Sequence, residues 1–324
     1  VQGFLSAAKP PSCNVGAGSS WNPTTGSPGQ LDLVQVLTDR DPGSDLAMES
    51  NTAVVDGIRM RWEERGTGSP VVLLHGIPTS TALWRHVAPK LTGRVLAWEM
   101  VGYGQSIVQG RGRDISVARQ AEYLLAWLDA VGIDRPVLVG HDLGGGVAQI
   151  AATHRPEGFA GLLLTNAISY DSWPIPSVKA MRALAPVARH TPDALFRGVL
   201  ATLMARGHDD RDIARESLDI HAAPYLEHGG AEAMVRQVQA LDVQDTLAVA
   251  DRLPDLDLAA RIVWGEADQF QKLEYGERLA RDLRAPLRCI PGGKHFTPED
   301  HPDVIAEEIG ALLDGLPDRS EEGS

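Results

Sequence analysis

Six short, largely apolar runs constrain what this chain can fold into. They are Pro70–Leu74, Arg94–Trp98, Pro136–Val139, Gly161–Leu164, Arg261–Trp264 and Leu287–Ile290. Each is too short for a helix, and its apolar residues follow one another instead of alternating. That pattern suits strands buried on both faces, as in a parallel sheet. Helical spacing fills several of the gaps. In Ile115–Val131 it puts Val117, Ala121, Leu124, Leu125 and Leu128 on one face, and in Pro302–Leu313 it groups Val304, Ile305, Ile309 and Leu312. Strands alternating with helices predict an α/β fold. Ahead of them, Thr52–Glu63 alternates loosely around Asp56-Gly57, a hairpin signal.

The rhythm breaks over residues 169–250, which hold five prolines and helical stretches at Asp193–Ala205 and Ala231–Leu241 but no clear buried strand. This stretch reads as a helical cap inserted after the sixth strand. It would sit over the carboxyl ends of the strands, where open α/β sheets bind ligands. Residues 51–168 and 251–316 then form the core. Residues 1–50, rich in Pro, Gly and Ser, read as a non-catalytic extension, with Leu31–Leu37 its one candidate strand or helix; an arm pairing with a second subunit is the alternative. Residues 317–324 read as a tail.

The run Val137-Leu138-Val139-Gly140-His141-Asp142-Leu143-Gly144-Gly145-Gly146 carries the chemistry. A strand enters a tight turn of the form Gly-x-Asp-x-Gly and a helix leaves it. In such a nucleophile elbow the central side chain is pushed out of a strained backbone, and small neighbours are needed around it. Its usual centre is Ser, and here it is Asp142. A carboxylate attacking an ester or amide would give an anhydride. Attacking a saturated carbon, it gives an alkyl ester that water can hydrolyse. Asp142 therefore predicts an epoxide or alkyl halide substrate. A Gly-rich turn with a surface Asp, or one that binds phosphate, is the plainer alternative.

Three companions favour the elbow. After Leu73-Leu74-His75-Gly76-Ile77-Pro78, the N–H groups of Ile77 and Leu143 are placed to form an oxyanion hole, with His75 bracing the loop. After Trp264-Gly265-Glu266-Ala267, Asp268 is the candidate acid that orients the histidine. Glu266 competes with it, and Asn166, at the other position where such an acid can arise, cannot serve. After Pro291-Gly292-Gly293-Lys294, His295 is the candidate general base.

Together His75-Gly76-x-Pro78, Gly140-His141-Asp142-x-Gly144-Gly145, Gly265-x-x-Asp268 and His295-Phe296 resemble the aspartate-nucleophile branch of the α/β-hydrolases, which includes epoxide hydrolases and haloalkane dehalogenases. The resemblance covers residues 52–315. Gly102-Tyr103-Gly104-Gln105-Ser106 resembles the family's Gly-x-Gly-x-Ser turn, but Glu99-Met100-Val101 departs from the usual Asp-x-Pro before it. The resemblance implies the α/β-hydrolase fold and a triad of Asp142, Asp268 and His295, with no cofactor or metal. In dehalogenases the halide is held by a Trp after the nucleophile and often by an Asn in the His-Gly-Asn-Pro loop. Here those positions are Leu143 and Ile77, although Pro78–Arg85 is similar to the dehalogenase loop. Epoxide hydrolases protonate the opening oxygen from cap tyrosines or a histidine, which makes Tyr225 the first candidate donor, then Tyr170, with His221 and His228 also available. Trp84, Trp173 and His141 are candidate pocket walls, with Met181 and Leu143.

These residues predict an epoxide hydrolase acting on a small apolar epoxide. The alternatives are a dehalogenase and a non-hydrolytic binding or isomerase role on the same fold. A formal charge of -13 argues against a nucleic-acid partner. No apolar run reaches membrane-spanning length. Cys13 and Cys289 suggest no zinc site, and they read as two unpaired thiols of a cytoplasmic protein. The expected state is a monomer or homodimer.

Overall fold

The computed structural model describes residues 48–317 and the backbone of Leu37–Thr38. Most of the expected extension and tail thus lies outside the described residues. Among the described residues, nine strands form one sheet. The first is the two-residue strand Leu37–Thr38, and the other eight are β1 (Glu49–Val55), β2 (Ile58–Arg65), β3 (Pro70–Leu74), β4 (Arg94–Trp98), β5 (Val137–His141), β6 (Gly161–Thr165), β7 (Ala260–Gly265) and β8 (Leu287–Ile290). Behind the short strand, their order across the sheet is β1-β2-β4-β3-β5-β6-β7-β8. The Asp56-Gly57 turn closes the β1–β2 hairpin with both residues at positive φ. β2 pairs antiparallel with β4, and every pairing from β4 to β8 is parallel.

The continuous apolar runs serve two cores at once, because successive strand residues face opposite sides. Val72, Leu74, Leu138, Leu162, Leu164 and Trp264 join one core with α1 (Val117–Val131) and α2 (Leu143–His154). Val71, Leu73, Val137, Val139, Leu163 and Val263 join the other. α1 is capped by the Ser116 side chain and ends at Gly132 in the left-handed conformation.

Between β6 and β7 lie the helices α3 (Pro176–Ala183), α4 (Ala185–Ala188), α5 (Asp193–Gly207), α6 (Arg211–His228), α7 (Gly230–Gln239) and α8 (Gln244–Ala250). This is the helical insertion after the sixth long strand that the sequence predicts. α6 starts on the Asp210 side chain and stops at Gly229. After β7 come α9 (Leu273–Asp282), α10 (Thr297–Asp300) and α11 (Pro302–Asp314), the last packing Ile305, Ile309 and Leu312 into the second core. Among the described residues, no helix is long and apolar enough to cross a membrane.

The strand order reverses between β3 and β5: from β3 the chain runs to β4 on one side, and from β5 to β6 on the other. Loops after the carboxyl ends of strands diverge at such a switch point and leave a crevice there. The Ile77 loop follows β3 and Asp142 follows β5, so both flank it.

Candidate active site

Asp142 sits between β5 and α2 with φ 49° and ψ -120°. This strained backbone turns the carboxylate out of the sheet. The turn tolerates no bulk: a Cβ on Gly144 would come within 2.3 Å of the Leu74 carbonyl, and one on Gly76 within 2.3 Å of Asp142 Oδ2. The close approach seats the carboxylate over two backbone donors. The Ile77 N–H donates to Oδ2 at 2.9 Å, and the Leu143 N–H also bonds the carboxylate. Burial raises the pKa of Asp142, against the pull of His295 and these two N–H groups.

His295 Nε2 lies 4.0 Å from Asp142 Oδ1, and its Nδ1 lies 2.8 Å from Asp268 Oδ2. Burial opposes charge on the imidazole, but the Asp268 and Asp142 carboxylates outweigh it and raise the pKa. Burial likewise opposes ionisation of Asp268. The His295 charge and hydrogen bonds from His295, the Phe270 N–H and Asn166 outweigh it and lower that pKa. The three residues singled out in the sequence thus converge in space. Glu266 is exposed, so Asp268 has no competitor at His295.

Asn166, which cannot be an acid, has a supporting place instead. Its Nδ2 donates to Asp268 Oδ2 at 2.7 Å, and its Oδ1 accepts from Gly265 N and Thr297 Oγ1. His75 accepts from the Met100 N–H through Nε2, and its Nδ1 contacts the Gly76 carbonyl at 2.9 Å, as the bracing reading anticipates. Burial lowers its pKa to about 4.

Two connected compartments lie beside the triad. The inner one, of about 60 Å³, is bounded by Asp142, His295, Leu143, Trp173, Phe270 and Gln271, among others. The outer one, of about 270 Å³, extends among cap side chains including Met181, Phe196, Leu200 and Met234. Ile77, Val178, Leu203 and Phe270 border both. The walls are almost wholly apolar. Arg206 edges the outer compartment and lies over the Phe270 ring at 5.2 Å.

Six sequence expectations need correction here. Tyr225 is buried in the cap and donates to Gln237 Oε1 at 2.6 Å, away from both compartments. Tyr170 donates to Asp282 Oδ2 at 2.6 Å and carries Arg278 on its ring face. His221 is held by Glu299 and Ser80. Trp84 packs in the second core, not in the cavity wall. His141 lies behind the triad, its Nε2 donating to the His295 carbonyl at 2.9 Å, and burial lowers its pKa to about 3. His228 lines neither compartment. Trp173 does line the inner one, but its N–H is used by Thr246 Oγ1 at 2.7 Å.

No sequence signal points to Gln271. Its side chain is buried at 3% exposure and lines the inner compartment. Among the described residues its Oε1 has no hydrogen-bond partner. An unmet buried amide costs about 1–3 kcal/mol. Gln271 lies three residues beyond Asp268, in a loop with no periodicity that would mark it.

A family profile of the α/β hydrolase fold matches residues 69–206. The chain has the α/β-hydrolase fold. An uncharacterized hydrolase, YugF of Bacillus subtilis, is 26% identical over 265 residues, which is 80% of this chain and 96% of that protein. A haloalkane dehalogenase of Mesorhizobium japonicum is 27% identical over 277 residues, 78% of this chain and 87% of its own. A crystal structure of an α/β-hydrolase fold protein from Burkholderia ambifaria matches with a TM-score of 0.74 at 29% identity, covering 84% of this chain and 98% of that one.

Proposed function

We propose that the protein is an epoxide hydrolase that opens its substrate through an ester on Asp142. The observation that carries this reading is the seat of the carboxylate. Oδ2 accepts from the Ile77 N–H, the Leu143 N–H also bonds the carboxylate, and Oδ1 lies near His295 Nε2 in an apolar compartment. Asp142 Oδ1 attacks the ring carbon from the side opposite the ring oxygen, and the C–O bond breaks onto that oxygen. The alkoxide needs a proton. The cap tyrosines are committed elsewhere, so His295, with its raised pKa, supplies it. Now neutral, His295 takes a proton from water as the water attacks the ester carbonyl. The two N–H groups stabilise the oxyanion, the diol leaves, and Asp142 returns as a carboxylate with His295 protonated. Epoxide and water give the diol, and every proton returns to its place.

Epoxides come first because Leu143 and Ile77 offer no side-chain donor for a halide. Displacement of halide is the second reading, supported by the haloalkane dehalogenase relative and by the Pro78–Arg85 loop. Single-turnover reactions with 1,2-epoxyhexane and 1-bromohexane in ¹⁸O water separate the two. The expected outcome is diol from the epoxide with one ¹⁸O in Asp142 and none in the first-turnover product. Label in the product and none in Asp142 would overturn the covalent mechanism. Turnover of the bromide alone would select the second reading.

A further inference from the structure

We propose that Gln271 is a positioning residue for the water that hydrolyses the Asp142 ester, an inference that rests on the ester mechanism above. The inner compartment presents three polar side chains to a ligand: Asp142, His295 and Gln271. Trp173 lines it too, but its N–H is spent on Thr246. The first two take part in the chemistry. Gln271 alone has its side-chain amide uncommitted, with Oε1 buried and unpartnered.

Its place in the fold assigns the role. The loop after β7 carries Asp268, which holds His295, and Phe270, whose ring meets His295 edge-on at 5.0 Å. Gln271 follows directly, and its backbone carbonyl accepts from Trp264 Nε1 at 3.0 Å. Gln271 thus borders the same compartment as His295, where the attacking water must stand.

A bound water needs two to four polar partners. Here His295 Nε2 accepts one of its hydrogens and Gln271 Oε1 the other, and a half-turn of the amide presents the oxygen. That leaves a lone pair free to attack the ester carbonyl. A bond forms from the water oxygen to Cγ of Asp142, and the proton passes to His295 Nε2. The Cγ–O bond to the substrate oxygen then breaks, its electron pair going to that oxygen, which takes the proton of the new Cγ–OH and leaves as the alcohol.

The prediction is a split between the two steps. Rapid-quench kinetics with 1,2-epoxyhexane and 1-bromohexane would follow the mass of the Asp142 peptide. In Gln271→Met, ester hydrolysis slows about 100-fold while Asp142 alkylation stays within about threefold of wild type, so the ester accumulates. Gln271→Glu, which keeps an acceptor oxygen, recovers most of the hydrolysis rate. Gln271→Asn withdraws the amide by one methylene and shows the same split as Met, so it decides the matter should Met fail to fold. Unslowed hydrolysis in both Met and Asn, or equal slowing of both steps, would overturn the proposal. Single-turnover ¹⁸O labelling of the wild type separates this failure from that of the ester mechanism. Label in Asp142 with hydrolysis unaffected by Gln271 removes only the role of Gln271, whereas no label in Asp142 removes the mechanism and this inference with it.

Discussion

Two buried assemblies of histidine and carboxylate lie on either side of Phe296, and they are built from the same residue types to opposite ends. In the first, Asp268 fixes one nitrogen of His295 and leaves the other facing Asp142 across 4.0 Å. In the second, Glu299 takes His208 Nε2 and His221 Nε2, each at 3.2 Å, Ser217 Oγ at 2.7 Å, and Arg85. His208 reaches on to Asp300 at 3.0 Å and His221 to Ser80 at 3.2 Å. His208, Ser217 and His221 come from the cap, while Ser80, Arg85, Glu299 and Asp300 come from the core. The second assembly thus ties cap to core, with each histidine nitrogen facing a core side chain at 3.0–3.2 Å. Phe296 separates them, stacked on His208 at 4.6 Å and edge-on to His295 at 5.0 Å. The difference teaches that chemistry here depends on which nitrogen is left free next to open space.

The largest expected effect breaks the first assembly without touching the second. Asp142→Asn keeps the shape but removes the nucleophile. Turnover should fall by at least about 10⁴-fold. Thermal melting should stay level or rise, because burial already disfavours the Asp142 charge. Steady-state diol formation and a melting curve on the same preparation check both. A sharp loss of melting temperature would mean that the carboxylate is structural, and the contrast between the assemblies would collapse.

Glu299→Ala sharpens the comparison from the other side. Burial opposes ionisation of Glu299, but His208, His221 and Arg85 outweigh it and hold the carboxyl well below its ordinary range. Removing it takes away the buried carboxylate that His208, His221 and Arg85 share, at a cost of about 3–5 kcal/mol. Denaturant titration should show that loss. Activity should fall only as far as the cap loosens, with the balance of alkylation and hydrolysis unchanged.

The contrast also explains what the sequence disclosed. The α/β order and the elbow were legible because they rest on local signals: short apolar runs, Gly spacing at Asp142, and a histidine placed after the last strand. The cap was legible as helical but not in its side-chain directions. Tyr225 and Tyr170 are plausible donors by type alone. Whether a hydroxyl reaches a cavity depends on partners such as Gln237 and Asp282, which lie 12 and 112 residues away. The Glu299 assembly was missed for the same reason, since its members span Ser80 to Asp300 and meet only when the cap docks. Gln271 had no signal, because an unmet amide is a property of the packed state.

The smallest expected effect is a pH dependence confined to the second assembly. Burial alone would lower the pKa of His208, but Asp300 and Glu299 outweigh it and hold it near 9, above the ordinary 6.5. A histidine raised in the folded state stabilises that state fully below its unfolded pKa, and the contribution fades as pH climbs through the folded value. The melting temperature of wild type should therefore exceed that of His208→Gln most clearly below pH 6.5. The gap should narrow from there and close toward pH 9 and above. His295 is also raised, but it is present in both proteins and cancels in the difference. A constant gap across this range would show that His208 contributes packing against Phe296 and not charge, and Glu299 would then be held by Arg85 and His221 alone.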